Sequence, residues 1–249
     1  MVNLTELCSY ADAYLDVGRF RDYAPNGLQI EGRPEIGRLL TGVTASQALL
    51  DAALDWKADA VLVHHGYFWR GESPVISGIR RKRLKTLLGH DLNLIAYHLP
   101  LDAHPEVGNN AQLAMRLGWL AETPLTPEGV GSFGRPDEPQ TIRTLVERVA
   151  DVLGREPQWI EAGDERIERV AWCTGAAQSY LERAISLGAQ VFLSGEISEQ
   201  TVHLAREAGV HYIAAGHHAT ERYGVLALGE HLAQRFGLEH RFVDIDNPV

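Results

Sequence analysis

The sequence predicts an α/β protein built from two similar lobes with largely parallel sheets. Two observations carry this. Short, fully apolar runs alternate with helical patterns in each half of the chain, and a proline-punctuated stretch separates the halves. A third observation adds function: histidines and carboxylates follow the apolar runs in both halves, where α/β sheets place their ligand chemistry.

In chain order, Leu4, Leu7, Tyr10, Ala11 and Tyr14 recur at helical spacing, and 22–32, with Pro25, Gly27 and Gly32, reads as a loop. A strand over 38–43, a helix over 46–54 and an apolar strand over 60–63 make a βαβ unit that stops at His64-His65-Gly66. A helix over 80–88 and a buried strand over 92–97 follow. Pro124, Pro127, Pro136, Pro139 and Pro157 then break the pattern, with one helix over 142–153. Strands over 170–173, 190–193 and 212–215 alternate with helices over 179–187, 200–207 and 219–236 in the second half. The division expected is a first lobe over 1–120, a linker or insert over 121–165 and a second lobe over 166–249, packed as one compact unit. Internal duplication is expected as well. At one offset Gln47, Leu50, Ala53, Ala58 and Leu62 fall on Gln178, Leu181, Ala184, Ala189 and Leu193, and at a second, different offset His98 and Asp102 fall on His217 and Glu221.

Composition narrows the chemistry. At 249 residues, 45% apolar and 22% charged, the chain can bury a sizeable core and has no apolar run long enough for a membrane helix. No basic segment precedes an apolar run at the start, so a cytoplasmic location is expected. Two cysteines cannot make a disulfide framework or a thiolate zinc cage, so any metal must rely on His and carboxylate. The balance of 23 basic against 33 acidic residues, net −10, disfavours loose binding to nucleic acid or an anionic membrane.

Eleven histidines are the unusual feature, because several crowd into short motifs. His64 and His65 end an apolar strand, and His98-Leu99-Pro100-Leu101-Asp102-Ala103-His104 follows another. In Gly216-His217-His218-Ala219-Thr220-Glu221, His217 and Glu221 are four apart and share a helix face, as two ligands of one ion would. Taken singly, these are solvated loop histidines, a Pro100 turn and an i,i+4 polar pair. Taken together, His64, His65, Asp102, His217 and Glu221 exceed what one tetrahedral ion needs and fit two ions with Glu221 as candidate bridge. Imidazole and carboxylate without thiolate point to Zn, Mn, Fe, Ni or Co.

These strings, with Ser194-Gly195-Glu196, the segment Asp22 to Gln29, Thr41 to Ser46 and Ala171 to Gly175, resemble those of the Nif-three-like family, the GTP cyclohydrolase I type 2 homologues, and are closest to its bacterial YbgI-type branch. The resemblance covers essentially the whole chain. It implies a dinuclear metal site between two α/β lobes, with His64, His65, Asp102, His217 and Glu221 as ligands and no ligand position missing. It also implies a toroidal homohexamer, a trimer of dimers, with sites facing the central cavity. His98 and Glu196 fall in family motifs too and are assigned a supporting or proton-transfer role. The expected function is hydrolysis of a nucleotide-like or phosphorylated small molecule, with water activated by the metals and its proton moved by His98 or Glu196. The alternative is a non-catalytic metal-binding or regulatory ring that binds a partner or DNA.

Other motifs carry less. Gly129-Val130-Gly131-Ser132-Phe133-Gly134 fits a dinucleotide pattern but lacks the preceding strand and following helix. Asn3-Leu4-Thr5 matches a glycosylation acceptor without a secretory route. Arg80-Arg81-Lys82-Arg83 with Lys85 reads as a solvated face opposite Leu84, Leu87 and Leu88, or as a phosphate-attracting patch. Phe68 and Trp69 could stack on a base or pack against the neighbouring lobe.

Overall fold

The computed structural model describes residues 1–249. The elements up to residue 103 are β1 (Val2–Asn3), α1 (Leu4–Tyr14), β2 (Gly27–Ile30), β3 (Glu35–Ile36), β4 (Arg38–Thr44), α2 (Gln47–Asp55), β5 (Ala60–His65), α3 (Gly78–Gly89), β6 (Asn93–Ala96) and α4 (Leu99–Ala103). Next come α5 (Asn109–Leu117), β7 (Trp119–Pro124), β8 (Ser132–Pro136), β9 (Gln140–Thr141), α6 (Ile142–Leu153), β10 (Gln158–Ile160), β11 (Arg166–Ile167) and β12 (Val170–Cys173). The chain ends with α7 (Leu181–Ser186), β13 (Val191–Ser194), α8 (Glu199–Ala208), β14 (His211–Ala214), α9 (His217–Phe236) and β15 (Glu239–Phe242). No helix is long and apolar enough to cross a membrane.

The chain forms two compact units, residues 1–101 with 224–246, and 102–223 with 247–249. The first holds a five-stranded sheet in the order β15-β4-β5-β6-β2. Its pairs are parallel except β2 against β6, which is antiparallel. Leu40, Val61, Val63 and Leu94 pack with Leu49, Leu50, Leu84 and Leu87 from the covering helices α2 and α3. A strand covered on both faces is apolar throughout, which is why 60–63 shows no alternation.

The second unit holds a six-stranded sheet, β10-β14-β13-β12-β8-β7. Only β12-β13 and β13-β14 are parallel, and β10, β8 and β7 run antiparallel. The fold is therefore α/β with mixed sheets, and the largely parallel expectation fails most clearly here. The segment 121–165 is also no separate linker or insert: β8 pairs with β12, and Ile142, Leu145, Val149 and Leu153 of α6 share a core with Val170, Trp172 and Leu193. The lobe boundaries drawn at 120 and 165 move accordingly. The second lobe also does not run to 249, because most of α9, from Gly224, and β15 belong to the first unit, β15 pairing with β4.

Candidate metal centre

Within the first unit, β5 runs through His65, two residues beyond the expected end, so pleating still governs where the rings point. His64 is 1% exposed and its Nδ1 lies 2.8 Å from the Tyr97 carbonyl oxygen, an acceptor only. The Nδ1 therefore carries the proton, and Nε2 is left as the electron-pair donor a metal requires. His65 is opposite Thr44 across the β4-β5 pair, with its Nδ1 3.2 Å from Thr44 Oγ1. His98 follows β6, and His64, His65 and His98 each bring a ring nitrogen within 4.8 Å of the others.

His98 is fixed by Asp22. Its Nδ1 lies 2.9 Å from Asp22 Oδ1, and its backbone N–H donates to Asn26 Oδ1 at 2.7 Å. The Asp22 carboxylate also accepts from Asn26 Nδ2 and from the backbone N–H groups of Tyr23 and Leu99. Burial works to raise the Asp22 carboxyl, but the His98 hydrogen bond and charge, with those other donors, outweigh it and hold it well below the usual carboxylate range. The segment 22–32 is thus more than a loop: it holds β2 and the group that orients His98.

Within the second unit the donors are mainly carboxylates. Asp102 and Glu221 are 6% and 3% exposed and bring carboxylate oxygens within 4.8 Å of each other. Asp102 Oδ1 accepts from Asn109 Nδ2 at 2.9 Å and from Thr174 Oγ1 at 3.3 Å. Asn110, the next residue of α5, binds the Asp102 carbonyl with its Nδ2 and receives the Thr174 N–H on its Oδ1. The start of α5 thus ties Asp102 to the end of β12.

α9 begins at His217, two residues earlier than expected, so His217 and Glu221 occupy its first turns. His217 stands between two carboxylates, with Nε2 3.1 Å from Glu221 Oε2 and Nδ1 2.7 Å from Glu196 Oε1. Burial lowers the His217 pKa, but Glu221 and then Glu196 more than reverse this and push it up to about 9. Glu221 is seated against Gly175, whose φ is +71° and where a Cβ would come within 2.1 Å of Glu221 Oε1. Only glycine combines that conformation with that closeness.

The donor chemistry fits divalent cations. Two buried carboxylates held close repel each other unless a cation compensates them. The neighbouring Cys173 thiol registers this charge: burial, then Asp102 and Glu221, push it well above its ordinary value. It is inert as a nucleophile and absent from the donor set.

Of the residues the sequence singled out, His64, His65 and His98 gather in the first unit and Asp102, Glu196, His217 and Glu221 lie in the second. Asp22, Thr44, Thr174 and Gly175 stood only within family-like strings, without a role, and Asn109 was missed; these residues orient or seat the donors. The paired motif Asp22-Tyr23-Ala24-Pro25-Asn26 and the double Asn109-Asn110 were the available signals. His104 instead serves its own turn, its Nδ1 accepting from the N–H groups of Glu106 and Val107. In the basic run, Leu84 and Leu87 are buried as expected, but Leu88 is 62% exposed. The glycine-rich decoy is a turn leading into β8, and a Cβ on Gly134 would strike the Leu120 carbonyl of the adjacent strand.

The family model for Duf34/NIF3 (NGG1p interacting factor 3) matches residues 2–248. A Pseudomonas aeruginosa protein named GTP cyclohydrolase 1 type 2 homolog is 56% identical over 100% of this chain and 99% of its own. Its namesake in Escherichia coli K12 is 52% identical over 98% and 99%. Among solved structures, protein ybgI, described as of unknown function, superposes with a TM-score of 0.97 at 51% identity, covering 100% of both chains. A protein from Thermus thermophilus does so with a TM-score of 0.92 at 36% identity, also over 100% of both. This chain belongs to the Duf34/NIF3 family.

Proposed function

We propose that this protein binds two divalent metal ions through His64, His65, Asp102, His217 and Glu221 and hydrolyses a nucleotide-like or phosphorylated small molecule. The observation that carries the reading is the pair of buried carboxylates, Asp102 and Glu221, each held by surroundings built for it. Treating the donors of both units as one dinuclear set rests on the family resemblance. So does the homohexameric ring, and the internal duplication read from the repeated motifs and the cytoplasmic location belong to the same proposal.

A bound divalent pair supplies Lewis acidity and lowers the pKa of water. The protein's own groups supply the rest. The proton fixed on His64 Nδ1 leaves the lone pair on its Nε2, and Asn109 and Thr174 hold Asp102 in one orientation. His98, backed by Asp22, is placed to move a proton as catalytic imidazoles do.

The test is a hydrolysis screen over nucleotides and phosphoesters, with metal-loaded and chelator-treated protein and with Glu221→Ala. Chelator-sensitive turnover that Glu221→Ala abolishes, with the fold retained, supports the reading. Two bound ions without turnover on any compound would favour the non-catalytic ring scaffold that binds a partner or DNA.

A further inference from the structure

Next to His65 and His98 lies a group of aromatic rings that metal binding does not use. Trp69 lies 5.9 Å from His65 and 5.1 Å from His98 between ring centroids, and Tyr23 lies 4.9 Å from His98 and 5.7 Å from Trp69. Tyr23 and Trp69 stand at 74° and 82° to the His98 ring but only 36° to each other. A core role would bury such rings, yet Tyr23 is 51% exposed.

The Tyr23 backbone and the Trp69 ring are nevertheless fixed by hydrogen bonds. The Tyr23 carbonyl accepts from the Arg70 N–H at 2.8 Å, and the Arg70 guanidinium donates to the Asp22 carbonyl at 2.9 Å. Trp69 Nε1 donates to the Gly66 carbonyl at 3.2 Å, and its backbone N–H to Glu72 Oε2 at 3.2 Å. Gly66 itself is packed so closely that a Cβ would come within 2.2 Å of Gln29 Oε1, which accepts the Tyr67 N–H. Between Gly66 and Trp69, Phe68 adopts φ +66°, a conformation a bulky residue holds only when its surroundings impose it. Two guanidinium groups belong to the same region: Arg70, and Arg80 5.1 Å above the Phe68 ring. Arg70 and Arg80 thus stand beside these rings together with the carboxylates of Asp22 and Glu72.

We infer that Tyr23 and Trp69 form a stacking platform for the nucleobase of a nucleotide, with Arg70 and Arg80 as its phosphate-attracting neighbours. An exposed, rigid π-face stacks on any base at little ordering cost. The 5.7 Å between the two centroids leaves no room for a ring between them, so the base lies on their open face. This inference rests on the hydrolase reading for its place beside the metal donors and narrows that reading's substrate to one carrying a planar ring.

Calorimetric titration of the metal-loaded full chain with GMP, AMP, CMP and ribose 5-phosphate tests it. At least one nucleotide should bind tighter than ribose 5-phosphate, and Tyr23→Leu and Trp69→Leu should each weaken that nucleotide by about tenfold or more. Trp69→Phe should retain most of the affinity, and all variants should keep the wild-type metal count. Should Trp69→Leu fail to fold, Tyr23→Leu, at a half-exposed position, carries the test alone. Three nucleotides binding no tighter than ribose 5-phosphate, or leucine variants binding them like wild type, would overturn the inference. Its failure is separable from that of the hydrolase reading: base binding without turnover leaves the platform standing, and turnover confined to substrates without a ring leaves only the hydrolase.

Discussion

The two units prepare donors for a cation in opposite ways. The first gathers imidazoles at strand ends and fixes each through its Nδ1, on the Tyr97 carbonyl, Thr44 or Asp22. The second gathers carboxylates at helix beginnings and holds them with the side-chain donors Asn109 and Thr174 and with a glycine cradle. Histidines need only a chosen tautomer, which a backbone carbonyl can impose. Buried carboxylates need compensation for their charge, which His217 supplies to Glu221 from 3.1 Å.

Breaking the cradle should have the largest effect. Gly175→Ala forces a Cβ against Glu221 in a left-handed backbone position, which alone costs about 1–2 kcal/mol. Elemental analysis should show metal lost from this variant, while circular dichroism shows the fold intact. Full metal content would mean that Glu221 is not a ligand. Removing the orienting groups should come next. Asn109→Ala and Thr174→Val remove the donors that anchor the Asp102 carboxylate, and metal affinity measured by competition with a chelator should fall roughly 10–100-fold.

Asp22 sharpens the comparison through pH. Its carboxyl is depressed in the folded state, so it contributes stability that is present above the unfolded value of about 4 and is lost as pH falls below it. In chelator-treated protein, Asp22→Asn should cost about 1–3 kcal/mol at neutral pH. It should also flatten the dependence of denaturant midpoint on pH below about 4. An unchanged acid profile would show that the Asp22–His98 pair contributes little. The smallest effect belongs to α3: Lys82→Ala and Lys85→Ala, both exposed, should shift stability by less than about 0.5 kcal/mol and leave metal content unchanged.

What the sequence made legible follows the range of the interactions. Apolar strands and the His217–Glu221 spacing are local patterns, and they appear where periodicity placed them. β7 and β8 were invisible because Pro124 and Pro136 end them, and proline near a strand terminus looks like a loop. Their pairing depends on contact with β12, which no local pattern encodes. The role of Asp22 escaped for the same reason, since its partner His98 is 76 positions away. The role of Gly175 escaped because the need for glycine there comes from Glu221, far along the chain.

The central claim is that both donor groups, imidazole and carboxylate, are required to hold metal. Elemental analysis of the purified protein beside His64→Ala/His65→Ala and Asp102→Ala/Glu221→Ala tests it most directly. The account predicts two divalent ions per chain in the wild type and a loss in each double variant, with both still folded. Two ions retained when either pair is removed would contradict it.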